Sequence, residues 1–301
     1  MRVAVTGANG RLGRALIAAL GDAPFTGPRG PIAWTREDFD LDAPTTVDAL
    51  LDRDRPEAII HAAAWTDVDG CARDPELAMQ RNAEAVHVLA EAAAAAGVDL
   101  LLVSTNEVFD GTRPHDRGYR PEDAATPGNA YGRSKLAGEV AGSAAFRGLE
   151  SRFGVARTSW LYGPPGNDFP TKILAAADRA RQAGEPLRVV GDEFASPTSA
   201  HDLAEGIVEL LAEGAIAGIR HLVNGGVASR ADWARELFSR IGLEIAVEEV
   251  PSTTWERPST PPAWGVLEPT PMPSGEPLRP WQQALADYVP VLVRQRAAVA
   301  R

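Results

Sequence analysis

Val3-Ala4-Val5-Thr6-Gly7-Ala8-Asn9-Gly10-Arg11-Leu12-Gly13 is the stretch that decides how the rest of the chain is read. A short apolar run ends in a glycine turn, and Leu12, Leu16, Ala19 and Leu20 then recur at helical spacing. Between a strand and a helix, the three glycines have separate tasks. Gly7 permits the tight turn, Gly10 lets backbone approach a pyrophosphate, and Gly13 lets the helix pack close to the strand. The helix N-terminus offers free N–H groups and a positive dipole end to phosphate. Asn9, Arg11 and Leu12 lie in the same loop and are read with the glycines as dinucleotide-binding. The spacing is G-x-x-G-x-x-G, one residue wider at its start than the usual fingerprint.

Moving outward, Ile32-Ala33-Trp34 is a second strand, followed by Thr35-Arg36 where an acidic residue would hold the ribose hydroxyls of NAD. Arg36, with Arg11 nearby, is suited instead to a 2′-phosphate, so the expected cofactor is NADPH, with NADH as the alternative. Asp40 and Leu41 precede a helix expected at Pro44–Leu51 and border the adenine. Ala58-Ile59-Ile60-His61 is a third strand, and the small Ala62, Ala63 and Ala64 after it leave room for a flat cofactor. An alanine-rich helix is expected from Arg81 to Ala96, stopped by Gly97. Leu100-Leu101-Leu102-Val103 is a continuous apolar run, as a central parallel strand requires. It delivers Ser104-Thr105-Asn106-Glu107 to the edge where the glycine loop lies. These elements predict an α/β, Rossmann-type doubly wound parallel sheet.

The next helix contains Tyr131 and Lys135, four residues apart and so on one face. A phenol titrates near ~10, and a neighbouring ammonium favours the phenolate. Such a pair exchanges a proton with a developing alkoxide near neutral pH. Only two of the 30 basic residues are lysines, so a lysine here suggests work that guanidinium cannot do.

Composition narrows the field. The 41 acidic against 30 basic residues, a net charge of −11, argue against nucleic acid or an anionic membrane as partner. An anionic ligand must then be held by local donors. The single cysteine, Cys71, excludes an internal disulfide and reads as a small buried filler. No signal peptide or long apolar span is apparent, which points to the cytoplasm. The five histidines show no metal spacing, and no metal is expected. A homodimer is compatible with the sequence.

Together, Gly7/Gly10/Gly13, Ser104-Thr105 and Tyr131/Lys135 resemble the extended short-chain dehydrogenase/reductases. Five stretches are more specifically similar to the dTDP-4-dehydrorhamnose reductase family: His61 to Asp69, Ser104 to Gly111, Tyr131 to Glu139, Arg157 to Gly163 and Ser196 to Leu203. The resemblance thins beyond them. It implies reduction at C4 of a nucleoside-diphosphate 4-keto-6-deoxyhexose, with Thr105, Tyr131 and Lys135 catalytic. It also implies substrate contacts from Thr105, Asn106, Glu107, Trp160, Asn167 and Lys172, with Lys172 a candidate for the diphosphate and Trp160 lying over the sugar. Related 4,6-dehydratases carry Thr-Asp-Glu where this chain has Thr105-Asn106-Glu107, and an amide cannot be their general acid. The family's Arg-Pro-x-x-Ser-x-Leu appears as Pro261 to Leu267, without the Arg and the Ser. Alternative roles are a nucleotide-sugar epimerase with tightly bound NAD, or a non-catalytic NADP-binding regulatory subunit.

The same resemblance divides the chain into an NADP-binding domain, 1–160 and 197–223, and a smaller mixed substrate-binding domain, 161–196 and 224–301. A helix is expected from Ser199 to Ala212 and a returning strand at Arg220-His221-Leu222-Val223. Ser229 and Asp232 have capping-box spacing at the start of another helix. The proline-dense Pro258–Pro280 reads as a surface loop.

Overall fold

The computed structural model describes residues 1–299, with side chains through Arg296. The first half of the chain runs β1 (Val3–Thr6), α1 (Arg11–Asp22), β2 (Ile32–Trp34), α2 (Val47–Asp54) and β3 (Ala58–His61). It continues through α3 (Val68–Arg73), α4 (Pro75–Met79), α5 (Ala85–Ala95), β4 (Asp99–Thr105), α6 (Ala130–Ala145) and β5 (Phe153–Thr158). The second half contains β6 (Leu161–Tyr162), α7 (Phe169–Ala183), β7 (Leu187–Val190), β8 (Phe194–Ala195), β9 (Thr198–Ser199) and α8 (Ala200–Ala212). It ends with β10 (Gly218–His221), β11 (Ala228–Ser229), α9 (Arg230–Ile241), β12 (Val247–Val250) and α10 (Trp281–Val299).

Six strands form one parallel sheet in the order β10-β5-β4-β3-β1-β2. All residues of β1 and β3 are buried, because helices cover both faces. Leu12, Leu16 and Leu20 of α1 pack with Leu203, Ile207 and Leu210 of α8 on one face. Val47 and Leu50 of α2 pack with Leu89 and Ala93 of α5 on the other. The chain leaves β1 toward β2 and returns to β3 on the opposite side. The crevice beyond the carboxyl ends of β1 and β3 is therefore where such a sheet receives a ligand.

A separate core gathers Tyr162, Leu174, Trp233, Leu237, Trp281 and Leu285, drawn from β6, α7, α9 and α10. α8 and Leu222, though later in the chain than β6 and α7, return to the first core. Ser229 and Asp232 do form a reciprocal capping box at the start of α9. Residues 300 and 301 of the expected second domain lie outside the described residues.

Three local expectations change. The alanine-rich helix begins earlier, at Pro75 behind the Asp74 cap, and passes through a π-helical turn at Gln80–Glu84. That turn directs Asn82 inward, where its side chain binds Trp65 N at 2.8 Å, Trp65 O at 3.0 Å and Ser134 Oγ at 3.1 Å. The helix expected from Pro44 opens as a 3-10 turn, Pro44–Thr46, before α2. The proline-dense segment is not simply a surface loop. It buries Trp264, Val266 and Leu267 against Val108 and Phe109, and Met272 against the α1/α8 face. Proline density there reflects a strap without a hydrogen-bonded ladder, tied by isolated bridges to Tyr119 and Phe194.

Gly13 has no room for a side chain. A Cβ there would lie 2.1 Å from the Gly7 carbonyl oxygen and 2.7 Å from Ala8 Cα. Both obstacles are backbone of the loop itself. Gly13→Ala is expected to destabilise the protein by about 1–3 kcal/mol or more, as overpacking of a tight contact does, measured by urea unfolding. A change below about 0.5 kcal/mol, the range of an unconstrained surface site, contradicts this packing.

Candidate functional site

A cavity of about 310 Å³ occupies the crevice between β1 and β3. Gly7 and Gly10 form its floor, and Ala62, Ala63 and Ala64 its wall. Gly7 has φ +63, and a Cβ on it would come within 3.0 Å of Ala63 backbone, so turn and wall meet with no side chain between them. Gly10 caps α1 without a side-chain hydrogen bond, and its helix begins directly beside the cavity. These features fit the diphosphate and adenosine of a dinucleotide.

Asp40 and Leu41 line the same space, as does Arg36. The Arg36 guanidinium is mostly exposed and loosely paired, 3.7 Å from Asp40 and 3.5 Å from Asp42. Arg81 is committed instead: it grips Asp42 at 2.6 and 2.8 Å and lies over the Trp65 ring. Of the two arginines, Arg36 retains free donors for a phosphate. Arg11 does not share that work. Its Nε binds the Gly163 carbonyl at 3.0 Å, and Arg11 is not among the residues lining the cavity. Leu12 contributes only its backbone to the loop, because its side chain is buried in the core. Asn9 is exposed at the cavity mouth.

The groups expected to be catalytic lie where β4 and α6 meet. Asn129 starts α6 by accepting the Gly132 N–H at 2.8 Å, and its amide donates to the Glu107 carboxylate and to Thr260 O. Tyr131 and Lys135 follow on the inner face, 8% and 2% exposed. Burial pushes the Tyr131 phenol well above its ordinary range, and the charge of Glu107 adds to this, while the neighbouring Thr105 hydroxyl opposes it. The net shift is therefore upward, opposite to the lowering expected from a neighbouring ammonium. Desolvation of the phenolate and a nearby carboxylate outweigh any favourable charge. Lys135 itself is lowered to about 8 by burial, with Glu139 opposing. His61 is held near 3 by burial and by Lys135, so it is neutral. It serves structure: Thr6 Oγ1 accepts the Ala63 N–H at 3.1 Å and meets His61 Nδ1 at 2.8 Å.

Thr105 accepts the Glu107 N–H at 3.2 Å and donates to Asn106 Oδ1 at 3.4 Å. Asn106 faces two ways, its Oδ1 accepting from the Thr105 hydroxyl while its amide points to the strap. Its amide donates to Gly265 O at 3.0 Å and is 3% exposed, so it anchors the strap. Glu107 is raised by burial and by Glu193, against the pull of Asn129, Arg230 and Arg257. Cys71 is buried beside Tyr131, and its thiol is pushed up to about 11 by burial. It is no nucleophile.

Arg230 and Glu193 were not legible as site residues. Arg230 lies flat over Trp160, 3.5 Å from the ring centre, and 3.7 Å from Glu193. Burial lowers it to about 10, with Glu193 and Glu107 opposing. Trp160 also stacks on Trp233, with ring centres 5.9 Å apart, so its neighbours are a core ring and a guanidinium. Asn167 and Lys172 are exposed at the start of α7. No local spacing announces Arg230, almost a hundred residues after Tyr131. Asn129, by contrast, stands at an ordinary N-cap position. Among the described residues, His201, Asp202 and Glu205 bring ligand-type atoms within 4.8 Å of one another. Asp202 is already taken by Arg279 and Asn224.

The family described as "RmlD substrate binding domain" matches residues 1–293. The chain belongs to this family. It is 35% identical over 291 residues to a dTDP-4-dehydrorhamnose reductase of Mycobacterium tuberculosis, covering 95% of this chain and 91% of that one. It is 35% identical to a dTDP-4-keto-6-deoxy-D-glucose reductase of Streptomyces niveus, covering 96% of each. Among solved structures, it is similar to dTDP-4-dehydrorhamnose reductase of Bacillus anthracis in complex with NADP. There the identity is 30%, the TM-score 0.82, and the coverage 95% of this chain and 98% of that one.

The buried ammonium is a stability cost. Lys135 at about 8, against 10.5 exposed, is a folded-state pKa below the unfolded value. The unfolded chain binds more protons between these values, so this group's contribution to stability rises with pH across that window. At pH 7 Lys135→Met is expected to stabilise the fold by about 3 kcal/mol at most while removing activity. Chemical denaturation at pH 7 and pH 10 tests it: the gain over wild type must shrink at the higher pH.

Proposed function

We infer that the protein reduces the C4 ketone of a nucleoside-diphosphate 4-keto-6-deoxyhexose with NADPH. The observation that carries this is the meeting of Thr105, Tyr131 and Lys135 at the sheet edge that also forms the dinucleotide crevice. The family and its named relatives supply the substrate class. The crevice fits a nicotinamide dinucleotide, with Gly7, Gly10 and the α1 N-terminus toward the diphosphate and Arg36 toward a 2′-phosphate. When bound, the reduced nicotinamide supplies hydride.

The protein's own groups do the rest. Tyr131 is buried and keeps its proton through neutral pH, as a donor to a developing alkoxide must. Thr105 lends its hydroxyl by turning from Asn106 toward the carbonyl oxygen, where negative charge develops. Lys135 places a positive charge behind the phenol and stabilises the phenolate once the proton has left. Glu107, held by Asn129 and raised by burial, faces the same space and can hydrogen-bond a sugar hydroxyl. Arg230 and Arg257 set positive charge toward Glu107, and the exposed Lys172 and Asn167 near the start of α7 are read as further contacts. In a chain of net charge −11 these cations are what admit an anionic substrate. Trp160 takes part through the Arg230 it supports. The substrate half is read as 161–196 and 224–301, apart from the strap that crosses to the nucleotide half.

Reduction assays with dTDP-4-dehydro-6-deoxyhexoses, with product configuration at C4 read by NMR, test the assignment. A protein that oxidises NADPH with none of them contradicts it, and one that retains NAD through exhaustive dialysis favours an epimerase. Tyr131→Phe is expected to lower kcat roughly 10²–10⁴-fold, with NADPH affinity nearly unchanged by fluorescence titration. A variant keeping more than about a tenth of the rate removes the proton-donor role. Arg36→Ala is expected to weaken NADPH about 10-fold or more while sparing NADH, since a charged hydrogen bond to phosphate contributes about 1.5–3 kcal/mol.

A further inference from the structure

Two turns below Tyr131 on the same face of α6 lies Glu139, 4% exposed. Residues 131, 135 and 139 are successive i, i+4 steps, so the phenol, the ammonium and this carboxylate form one row about 12 Å long. The carboxylate is fully engaged. Oε1 accepts from Ser104 Oγ at 2.5 Å and Arg157 Nε at 3.1 Å, and Oε2 accepts from Arg157 Nη2 at 2.6 Å. Ser104 and Arg157 are register partners on β4 and β5. Ser104 immediately precedes Thr105, and β5 leads to Trp160. One carboxylate thus ties the helix of Tyr131 and Lys135 to the strand of Thr105 and to the strand that opens the substrate half.

Stability alone does not explain such a pair. Taking two charges out of water costs several kcal/mol each, and well-packed apolar residues often serve as well or better. Arg157 Nη1 also has no hydrogen-bond partner among the described residues. The helix is already pressed close by small residues: a Cβ on Gly138 would meet Asn82 O at 2.5 Å, and one on Gly142 would meet the Phe153 ring at 2.3 Å. What glycine contacts leave free is rotation and sliding of α6. A helix that turns by a few degrees carries the phenol off its target, and about 1 Å of misplacement can cost roughly 10²-fold in rate.

We propose that Glu139 is a positioning residue for the reaction: clamped by Arg157 and Ser104, it fixes α6, with Tyr131 and Lys135, against β4 and β5. The inference rests on the roles given above to Tyr131 and Lys135. The groups facing Lys135 are Tyr131 and Glu139 on its own helix and His61 on β3; those facing Glu139 from other elements are Ser104 on β4 and Arg157 on β5. His61 is neutral in the working range, so the charge that Lys135 feels at one turn is that of Glu139.

Glu139→Gln keeps the shape and removes the charge. It is expected to lower kcat about 10-fold with both KM values within twofold. The basic limb of the kcat profile should move to lower pH by about one unit, because an ammonium without its carboxylate loses its proton sooner. Glu139→Asp should leave that limb in place while still lowering kcat. The paired replacement Glu139→Leu with Arg157→Met is expected to melt near the wild-type temperature and lose about 10²-fold in kcat. Failure of that pair to fold, or wild-type turnover in it, overturns the proposal, as does a Glu139→Gln enzyme with unshifted limb and kcat within twofold. Tyr131→Phe runs alongside. An inactive wild type defeats the reductase reading, whereas an active wild type, an inactive Tyr131→Phe and a normal Glu139→Gln defeat this inference alone.

Discussion

A lysine ammonium at 2% exposure is the constraint around which the site is built. Apolar packing cannot place a charge in a protein interior, and a buried cation without compensation sheds its proton. Lys135 remains near the edge of ionisation because Glu139 lies one turn away while burial works against it. Its neighbours carry no competing positive charge: His61 is neutral, tied to Thr6, and Tyr131 is uncharged. The same burial that makes the ammonium costly keeps the phenol protonated. On the roles proposed for them, the proton donor and the cation that stabilises the resulting phenolate arise from one desolvated pocket.

On the reading proposed above, charge is managed differently at the two ends of the ligand path. At the nucleotide end the cations are exposed. Arg36 is loosely held by two aspartates, and its pairs are of the kind that salt and solvent weaken. At the sugar end Arg230 is desolvated, laid on Trp160 and faced by Glu193 and Glu107. A stacked guanidinium keeps its in-plane donors available for an incoming anion. An exposed arginine suits a cofactor that must come and go, and a pre-oriented one suits a substrate that must be aligned.

What was legible in the sequence followed from local rules. The glycine turn, β1 to β4 and the helix of Tyr131 and Lys135 are marked by apolar runs, breakers and helical spacing, and the sheet is parallel as those marks imply. The resemblance of several short stretches brought Thr105 into the same site. The rest depends on tertiary placement. A π turn at Gln80–Glu84 has no compositional signature. The rise of the Tyr131 phenol needs the burial of its surroundings and Glu107, set beside it by Asn129. Arg11 and Arg36 looked equivalent as cations, yet one faces Gly163 and the other the cavity. Arg230 and Glu193, and Glu139 and Arg157, lie on separate elements that meet only in the folded chain, and no local spacing pairs them.

Asn106 shows how a single such contact bears on chemistry. Its amide donates to Gly265 O at 3.0 Å, and a Cβ at Gly265 would lie 2.3 Å from that same amide nitrogen. Strap and site have therefore been fitted to each other. An ionised aspartate at 106 would set two oxygens face to face in a buried place, with neither able to donate. The acid of the related dehydratases has no seat here unless the strap moves, and the strap is held by Trp264, Val266 and Leu267 in the Val108–Phe109 core. The bias against elimination of water thus extends beyond one residue type to a buried contact between the end of β4 and a segment about 160 residues away.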